Sequence, residues 1–250
     1  TESGGRPATE QFRAFVATGW APRSSARRAQ AEVTPYAAKR RAAVSAAFPG
    51  ERLVIPAGGL KVRSNDGDYI FRPHSAFAHL TGFGSDREPD AVLVLEPLED
   101  GSHESTLFFR PLAGRDTEEF FGDSRYGEFW VGARPTLADI EAEFALSARH
   151  IDDLADAVGQ DVGATVIRIV RDADRELTAA VDAIRAGAAE TAESRESHAL
   201  READDELTRV PSTSPPVTYD GETPQMPDAV HGTARGHADG VARLPPAATR

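Results

Sequence analysis

The 250-residue chain carries 28 basic and 40 acidic side chains, which give a formal charge of −12, and 40% of its residues are hydrophobic. This acidic balance argues against a nucleic-acid-binding surface over most of the molecule. The absence of cysteine excludes disulfide bonds, thiolate metal sites and cysteine nucleophiles.

Residues 1–33 form the first predicted segment, which is rich in Arg, Ala, Gly and Ser. Between Thr1 and Arg41, eight basic residues oppose three acidic ones, an excess of +5. We interpret the segment as a flexible basic arm that is solvated or docks onto an acidic partner, with nucleic-acid binding as an alternative. No apolar stretch resembles a signal peptide or reaches the roughly 20 residues of a membrane-spanning helix. We therefore expect a cytoplasmic protein that binds neither membrane nor nucleic acid.

Alternating helices and strands are predicted over residues 34–208. Thr34 as N-cap, followed by Pro35, predicts a helix that ends near Phe48, just before a Pro-Gly pair. Apolar, partly β-branched runs predict strands at residues 53–55, 91–95, 106–109 and 164–170. Turn residues at 99–102 predict that the second and third of these strands form an antiparallel hairpin.

Helical periodicity follows at residues 136–140 and 151–158, and again from 172 to about 185. Leu177, Val181 and Ile184 form an apolar stripe on the last of these helices. Residues 190–207 also favour a helix, whereas the prolines of residues 209–250 predict an irregular tail. Together these elements predict an α/β fold, a mixed β-sheet flanked by helices.

Short catalytic motifs are not recognisable in the chain. Arg87 stands where the third glycine of a dinucleotide-binding loop would follow Gly82 and Gly84. The histidines include no His-Glu-x-x-His pair, and no Gly-x-Ser-x-Gly elbow occurs. We therefore predict no catalytic residue and no metal ligand in this chain.

Residues 63–83, RSNDGDYIFRPHSAFAHLTGF, carry the most specific pattern. They resemble the signature of the N-terminal domain of aminopeptidase P, a family of metallopeptidases that release an N-terminal residue preceding proline. In that signature Arg-Ser, Asp, an aromatic-Arg pair, Ser, an aromatic residue and Leu-Thr-Gly follow one another. We assign to this signature loop Arg63, Ser64, Asn65, Tyr69, Arg72, Ser75, Phe77, Leu80, Thr81 and Gly82. Residues 40–58 and 88–95 are similar to the family as well.

The resemblance implies a creatinase-like N-terminal domain with ribonuclease H-like topology. It also implies a separate catalytic domain that holds two divalent metal ions, usually Mn²⁺, so we expect no cofactor in this chain itself. The N-terminal domain of such enzymes helps to form oligomers and narrows the entrance to a neighbouring subunit's active site. Asp66 matches an aspartate that reaches towards that site, and Phe120 matches an aromatic residue of similar role. Neither would be catalytic.

The residues of the loop also have a direct physical interpretation. Phe77, Leu80 and Phe83 are expected to pack a short turn against the sheet, and Gly82 permits a backbone conformation that other residues resist. Arg72 is expected to bind a carboxylate such as Asp66 or Asp68, or only to brace the loop.

The tail departs from the family. Pro224 and Pro227 lie where the first helix of the catalytic domain would be, and each interior proline costs a helix about 3 kcal/mol. We expect residues 209–250 to be a disrupted start of that domain, or a disordered tail. The chain is therefore predicted to be a non-catalytic accessory domain whose partner is itself or a full-length aminopeptidase P subunit. The alternatives are a stand-alone protein-binding module and a truncated, inactive product.

Overall fold

The computed structural model describes residues 9–24, 26, 28–65 and 67–189. The helices are α1 (Glu10–Val16), α2 (Thr34–Ala47), α3 (Ser75–Thr81), α4 (Glu119–Gly122), α5 (Glu128–Val131), α6 (Leu137–Phe144), α7 (Leu154–Gly159) and α8 (Arg175–Ala189). The strands are β1 (Arg52–Pro56), β2 (Val62–Ser64), β3 (Gly67–Asp68), β4 (Val92–Pro97), β5 (His103–Phe109), β6 (Ser147–His150) and β7 (Ile167–Ile169). The predicted helix over 190–207 and the predicted tail over 209–250 lie outside the described residues.

Five strands form the main sheet in the order β6-β5-β4-β1-β7. β4 is antiparallel to both β1 and β5, whereas β7 runs parallel to β1 and β6 runs parallel to β5. The β4–β5 hairpin pairs Val92 with Phe108 at one end and Pro97 with His103 at the other. The predicted mixed sheet and the predicted hairpin are therefore confirmed.

The sheet is covered on both faces, which explains why its central strands show no polar alternation. Successive side chains of a strand point to opposite faces. In β1, Leu53 and Ile55 join one apolar cluster while Val54 joins the other. Side chains of α2, α3 and α6 cover the first face, and those of α7 and α8 cover the second. Each fully buried Leu, Ile or Val contributes about 1.5–3 kcal/mol, so these two clusters supply much of the stability.

The helix that begins near Thr34 is confirmed, but its cap differs from the prediction. Val33 takes the N-cap position, and Pro35 lies in the first turn. The Thr34 hydroxyl instead donates a hydrogen bond to the carbonyl oxygen of Glu143, at 2.8 Å. Thr34 therefore joins the start of α2 to the end of α6 rather than capping its own helix.

Several short elements were not predicted. The β6 strand has only four residues and lies at the edge of the sheet. Of these residues only Ala148 is buried. The short turn predicted around Phe77 is the helix α3. None of the described helices is both long enough and apolar enough to cross a bilayer.

Candidate functional site

The signature loop divides into an exposed half and a buried half. Its first half forms the β2–β3 hairpin, in which Val62 pairs with Asp68 and Ser64 with Gly67. Every described residue from 61 to 70 is exposed, so the side chains of Arg63, Ser64, Asn65 and Tyr69 all face solvent. Asp66, the residue with the strongest predicted role, lies outside the described residues.

The second half anchors the hairpin to the core. Phe77 and Leu80 of α3 are 0% and 5% exposed and belong to the cluster on one face of the sheet. The buried Thr81 hydroxyl donates to the carbonyl oxygen of Phe77 at 2.7 Å and accepts from the amide of Phe83 at 3.1 Å. Ser75 is the exposed first residue of the helix. The buried signature residues therefore act in packing, as the sequence predicts for Phe77, Leu80 and Phe83.

Gly82 ends α3 in the left-handed region, at φ 86°. A Cβ atom at this position would lie 2.5 Å from Cγ1 of Val33. Both the backbone conformation and the close approach of the chain before α2 require glycine here. The prediction for Gly82 is confirmed.

Apolar side chains of the hairpin are unusually exposed. Ile70 is 86% exposed, Val62 73% and Tyr69 59%. When a partner surface removes such side chains from water, the free energy falls by about 25 cal/mol for each Å² of apolar surface buried. These exposed side chains lie in or next to the signature residues 63–83, which favours a binding role over a purely structural one.

Arg72 does not bind the carboxylate predicted for it within the described residues. Its side chain is exposed and forms no ion pair with a described acid. Asp68 lies instead 3.9 Å from Arg125, so of the two candidate acids Asp68 is not the partner of Arg72. The alternative partner, Asp66, falls outside the described residues.

Phe120 of α4 is buried, at 2% exposure. Its ring lies edge-on to Trp20, with 5.4 Å between ring centroids, and edge-on to Phe129 at 6.2 Å. Trp20 comes from the segment before the domain, which the sequence does not predict to pack here. Contact between Phe120 and another subunit therefore requires Trp20 to move away.

The described residues 9–24 dock onto α4, α5 and the loop before them, which corrects the interpretation of this part as a flexible arm. Phe12 packs edge-on against Phe121, with ring centroids 5.2 Å apart. Glu128 receives hydrogen bonds from Arg23 Nε at 3.0 Å and from Arg115 Nη2 at 2.7 Å. The arginines of the segment thus find acidic partners within their own chain. Composition alone could not reveal this, because the partner acids lie about a hundred residues further along.

These hydrogen bonds favour the ionised form of Glu128. Arg115 is the main cause, with Arg23 adding to it, and together they lower the pKa of Glu128 from 4.5 to about 2. The docked segment is therefore held by a carboxylate that stays ionised over the whole neutral and mildly acidic range.

The described residues do not fit the two metal ions that the resemblance implies. No group of three or more His, Asp or Glu side chains among them could hold a common metal ion. Two-metal sites need a cage of several carboxylate or imidazole ligands. We accordingly assign no step of a metal-dependent hydrolysis to these residues.

The chain is similar in sequence to a known protein family and to several known proteins. Residues 36–167 match the family described as aminopeptidase P, N-terminal domain. Xaa-Pro aminopeptidase 2 of Streptomyces coelicolor is 39% identical over 94% of the chain and 45% of its own length. Xaa-Pro aminopeptidase 1 of the same organism is 39% identical over 82% of the chain and 37% of its own length. The chain thus spans less than half the length of these relatives.

A solved structure shares the fold. A variant of Escherichia coli aminopeptidase P superposes with a TM-score of 0.50 and 23% identity, and the match covers 62% of this chain and 33% of the other. The match supports the mixed sheet flanked by helices.

Proposed function

Because the chain belongs to the aminopeptidase P N-terminal domain family, we propose that it serves as the non-catalytic N-terminal part of an Xaa-Pro aminopeptidase. In this role it brings subunits together and shapes access of peptides to an active site formed elsewhere. The two Mn²⁺ ions that the family resemblance implies would be held by a catalytic domain outside the described residues. A cytoplasmic location stays a prediction.

The exposed β2–β3 hairpin is the observation that supports this proposal. It belongs to the signature of the family, and its neighbouring side chains Val62, Tyr69 and Ile70 remain largely in solvent. A hairpin of this kind, anchored by α3 and exposed at all its described residues, can enter a site on another subunit without unfolding any core element. The partner we propose is a second copy of the chain or a full-length aminopeptidase P subunit.

Native mass spectrometry tests the assembly. We expect the chain to form complexes with itself or with full-length Xaa-Pro aminopeptidase 2 of Streptomyces coelicolor, and Ile70→Ser to weaken them. Leu98→Ser is the matched control, because Leu98 is also exposed, at 45%, but lies in the β4–β5 turn away from the signature. A chain that remains monomeric and binds no full-length subunit would contradict the proposal and favour a truncated product.

A peptidase assay tests the non-catalytic role. We expect the purified chain to release no N-terminal residue from an Xaa-Pro peptide, even with added Mn²⁺, because the described residues offer no ligand set for the metal. Turnover that a chelator abolishes would refute this expectation.

A further inference from the structure

A cleft lies beside the signature hairpin, whose Asp68 is 3.9 Å from the lining residue Arg125. Its volume is about 300 Å³, and Asp90, Arg110, Arg125 and Tyr126 line it together with Pro89 and Ile151. Two cations and one carboxylate therefore face a space that also has apolar walls. These residues come from three separate loops and the start of a 3₁₀ turn, and only Pro89 and Asp90 lie in a stretch, residues 88–95, that is similar to the family.

Asp90 and Tyr126 both line the cleft and are joined by a hydrogen bond. The Tyr126 hydroxyl donates a hydrogen bond to Oδ2 of Asp90, and Tyr126 is only 7% exposed. Asp90 adopts a left-handed backbone conformation, φ 64°, and its amide donates to the carbonyl oxygen of Gly58 at 3.0 Å. Aspartate adopts this conformation more readily than most non-glycine residues, so the turn that places Asp90 in the cleft costs little.

The two arginines have unused hydrogen-bonding capacity. Arg110 lies 4.5 Å from the centroid of the Tyr126 ring, and its nearest acids are Glu119 at 3.8 Å and Asp123 at 3.7 Å. Arg125 is 3.9 Å from Asp68. Within the part of the chain that the structure describes, neither guanidinium group makes a side-chain hydrogen bond.

Other arginines of the domain, in contrast, make short side-chain hydrogen bonds to carboxylates. Arg52 bonds both oxygens of Glu96, at 2.5 and 2.6 Å, and the buried Arg134 bonds Glu119 at 2.5 Å. Arg110 and Arg125, by comparison, are 40% and 46% exposed at the rim of a cleft. Stacking on Tyr126 orients Arg110 without occupying its N–H groups, so its fork remains open to a ligand.

We propose that this cleft binds the carboxylate of a small ligand with an apolar side group, such as the C-terminal residue of a short peptide. The planar guanidinium forks match the two oxygens of a carboxylate. Asp68, Asp90, Glu119 and Asp123 lie close by, and their negative charges disfavour a doubly charged anion such as phosphate more strongly than a singly charged carboxylate. Pro89 and Ile151 offer the apolar contact for the side group.

This inference goes beyond the proposed function. Because every lining residue belongs to one chain, the cleft binds its ligand whether or not the chain assembles with another subunit. Failure of one proposal therefore leaves the other standing.

Calorimetric titration of the full chain with acetyl-Leu-Leu tests the proposal, with the corresponding C-terminal amide as the matched ligand. We expect the free acid to bind at least about tenfold more tightly, because the amide has no negative charge and offers only one acceptor oxygen to the two arginines. Inorganic phosphate at the same concentration is expected not to displace the acid. Equal affinity for acid and amide, or displacement by phosphate, would overturn the carboxylate assignment.

Variants locate the binding. Arg110→Gln and Arg125→Gln are each expected to weaken binding of acetyl-Leu-Leu about tenfold. Arg13→Gln is the control, since Arg13 is 40% exposed and lies 3.9 Å from Glu118 but does not line the cleft. Thermal unfolding verifies that each variant is folded, and Arg125→Gln remains informative if loss of the Arg110–Tyr126 contact destabilises the domain. Unchanged affinity in Arg125→Gln would place the ligand elsewhere.

Discussion

Arg52 shows how a charged residue can be buried at the start of an otherwise apolar strand, β1. Its side chain is fully buried, yet it bonds both oxygens of Glu96 and the carbonyl oxygens of Val158, at 2.9 Å, and Gln160, at 2.6 Å. Burying a charge is costly unless such partners replace the lost water. The arginine thereby joins β1 to β4 and to the end of α7.

Removing this side chain should be strongly destabilising. We expect Arg52→Ala to lower the free energy of unfolding by about 3 kcal/mol, because two carbonyl groups and a carboxylate lose their donor. Arg149→Ala serves as the control, since Arg149 is 51% exposed and its contacts, with Asp153 at 3.4 Å and with the Phe108 ring centroid at 5.4 Å, are together worth about 1 kcal/mol. Urea unfolding measures both, and equal effects of the two substitutions would contradict this account of Arg52.

The ionisation of Glu128 makes docking of the N-terminal segment depend on pH. Its pKa is lowered from 4.5 to about 2 in the folded state, so the folded state binds fewer protons than the unfolded state between these values. The stabilisation is therefore complete above pH 4.5 and is lost as the pH falls towards 2.

Fluorescence of Trp20 reports this loss directly. In a Trp130→Phe background, we expect the Trp20 emission to shift towards that of a solvated indole as the pH falls through this range. Glu128→Gln should show the solvated emission already at neutral pH, with little further change on acidification. Identical pH profiles for the two proteins would show that Glu128 does not hold the segment.

At the level of elements, the junction of α3 with the start of α2 positions the signature hairpin. The turn after α3 needs a left-handed residue and also passes close to Val33, so two separate constraints act on Gly82. Gly50 has a similar φ of 77°, but a Cβ atom added there would have no neighbouring atom within 4 Å. Alanine substitutions at Gly50 and Gly82 therefore distinguish the cost of backbone strain alone from the cost of strain combined with steric crowding.

We expect Gly50→Ala to lower the free energy of unfolding by about 1 kcal/mol, through backbone strain alone. Gly82→Ala should cost about 1–3 kcal/mol more, because Val33 must also move to relieve overpacking. Chemical denaturation of both variants measures the difference. If Gly82→Ala is no worse than Gly50→Ala, then α3 and the start of α2 are not tightly packed in solution.

On the scale of the whole molecule, the N-terminal segment is an addition to a core that does not depend on it. The two apolar clusters around the sheet contain no residue of α1, whereas Trp20 and Phe12 contact the separate aromatic group of Phe120, Phe121 and Phe129. The segment can therefore leave without opening the sheet.

Deletion of residues 1–24 should leave a cooperatively unfolding domain with an unchanged sheet signal in circular dichroism. The deletion exposes Phe120 and Phe129, so we expect stronger binding of the dye ANS than for the full chain. Trp20→Ala should reproduce most of this increase, because its ring covers Phe120. Loss of cooperative unfolding in the deletion variant would show that the segment is part of the core.

Elements whose signals are local could be predicted from the amino-acid residues alone. The runs that became β1, β4 and β5 are continuous and apolar because both faces of the sheet are covered. The Pro-Gly pair after Phe48 and the stripe of Leu177, Val181 and Ile184 were equally clear. The signature of residues 63–83 identified the family, and Gly82 could be assigned its conformation from residue type.

Contacts between residues distant in sequence became visible only in the folded chain. Folding placed Trp20 over Phe120, paired Asp68 with Arg125 rather than Arg72, and brought Asp90, Arg110 and Arg125 to one cleft. It also added β6, a four-residue edge strand formed by pairing with β5. Ion pairs and edge strands have weak local preferences and form where the packed core brings their partners within reach. The sequence of one chain does not show which of its distant residues become neighbours in the folded structure.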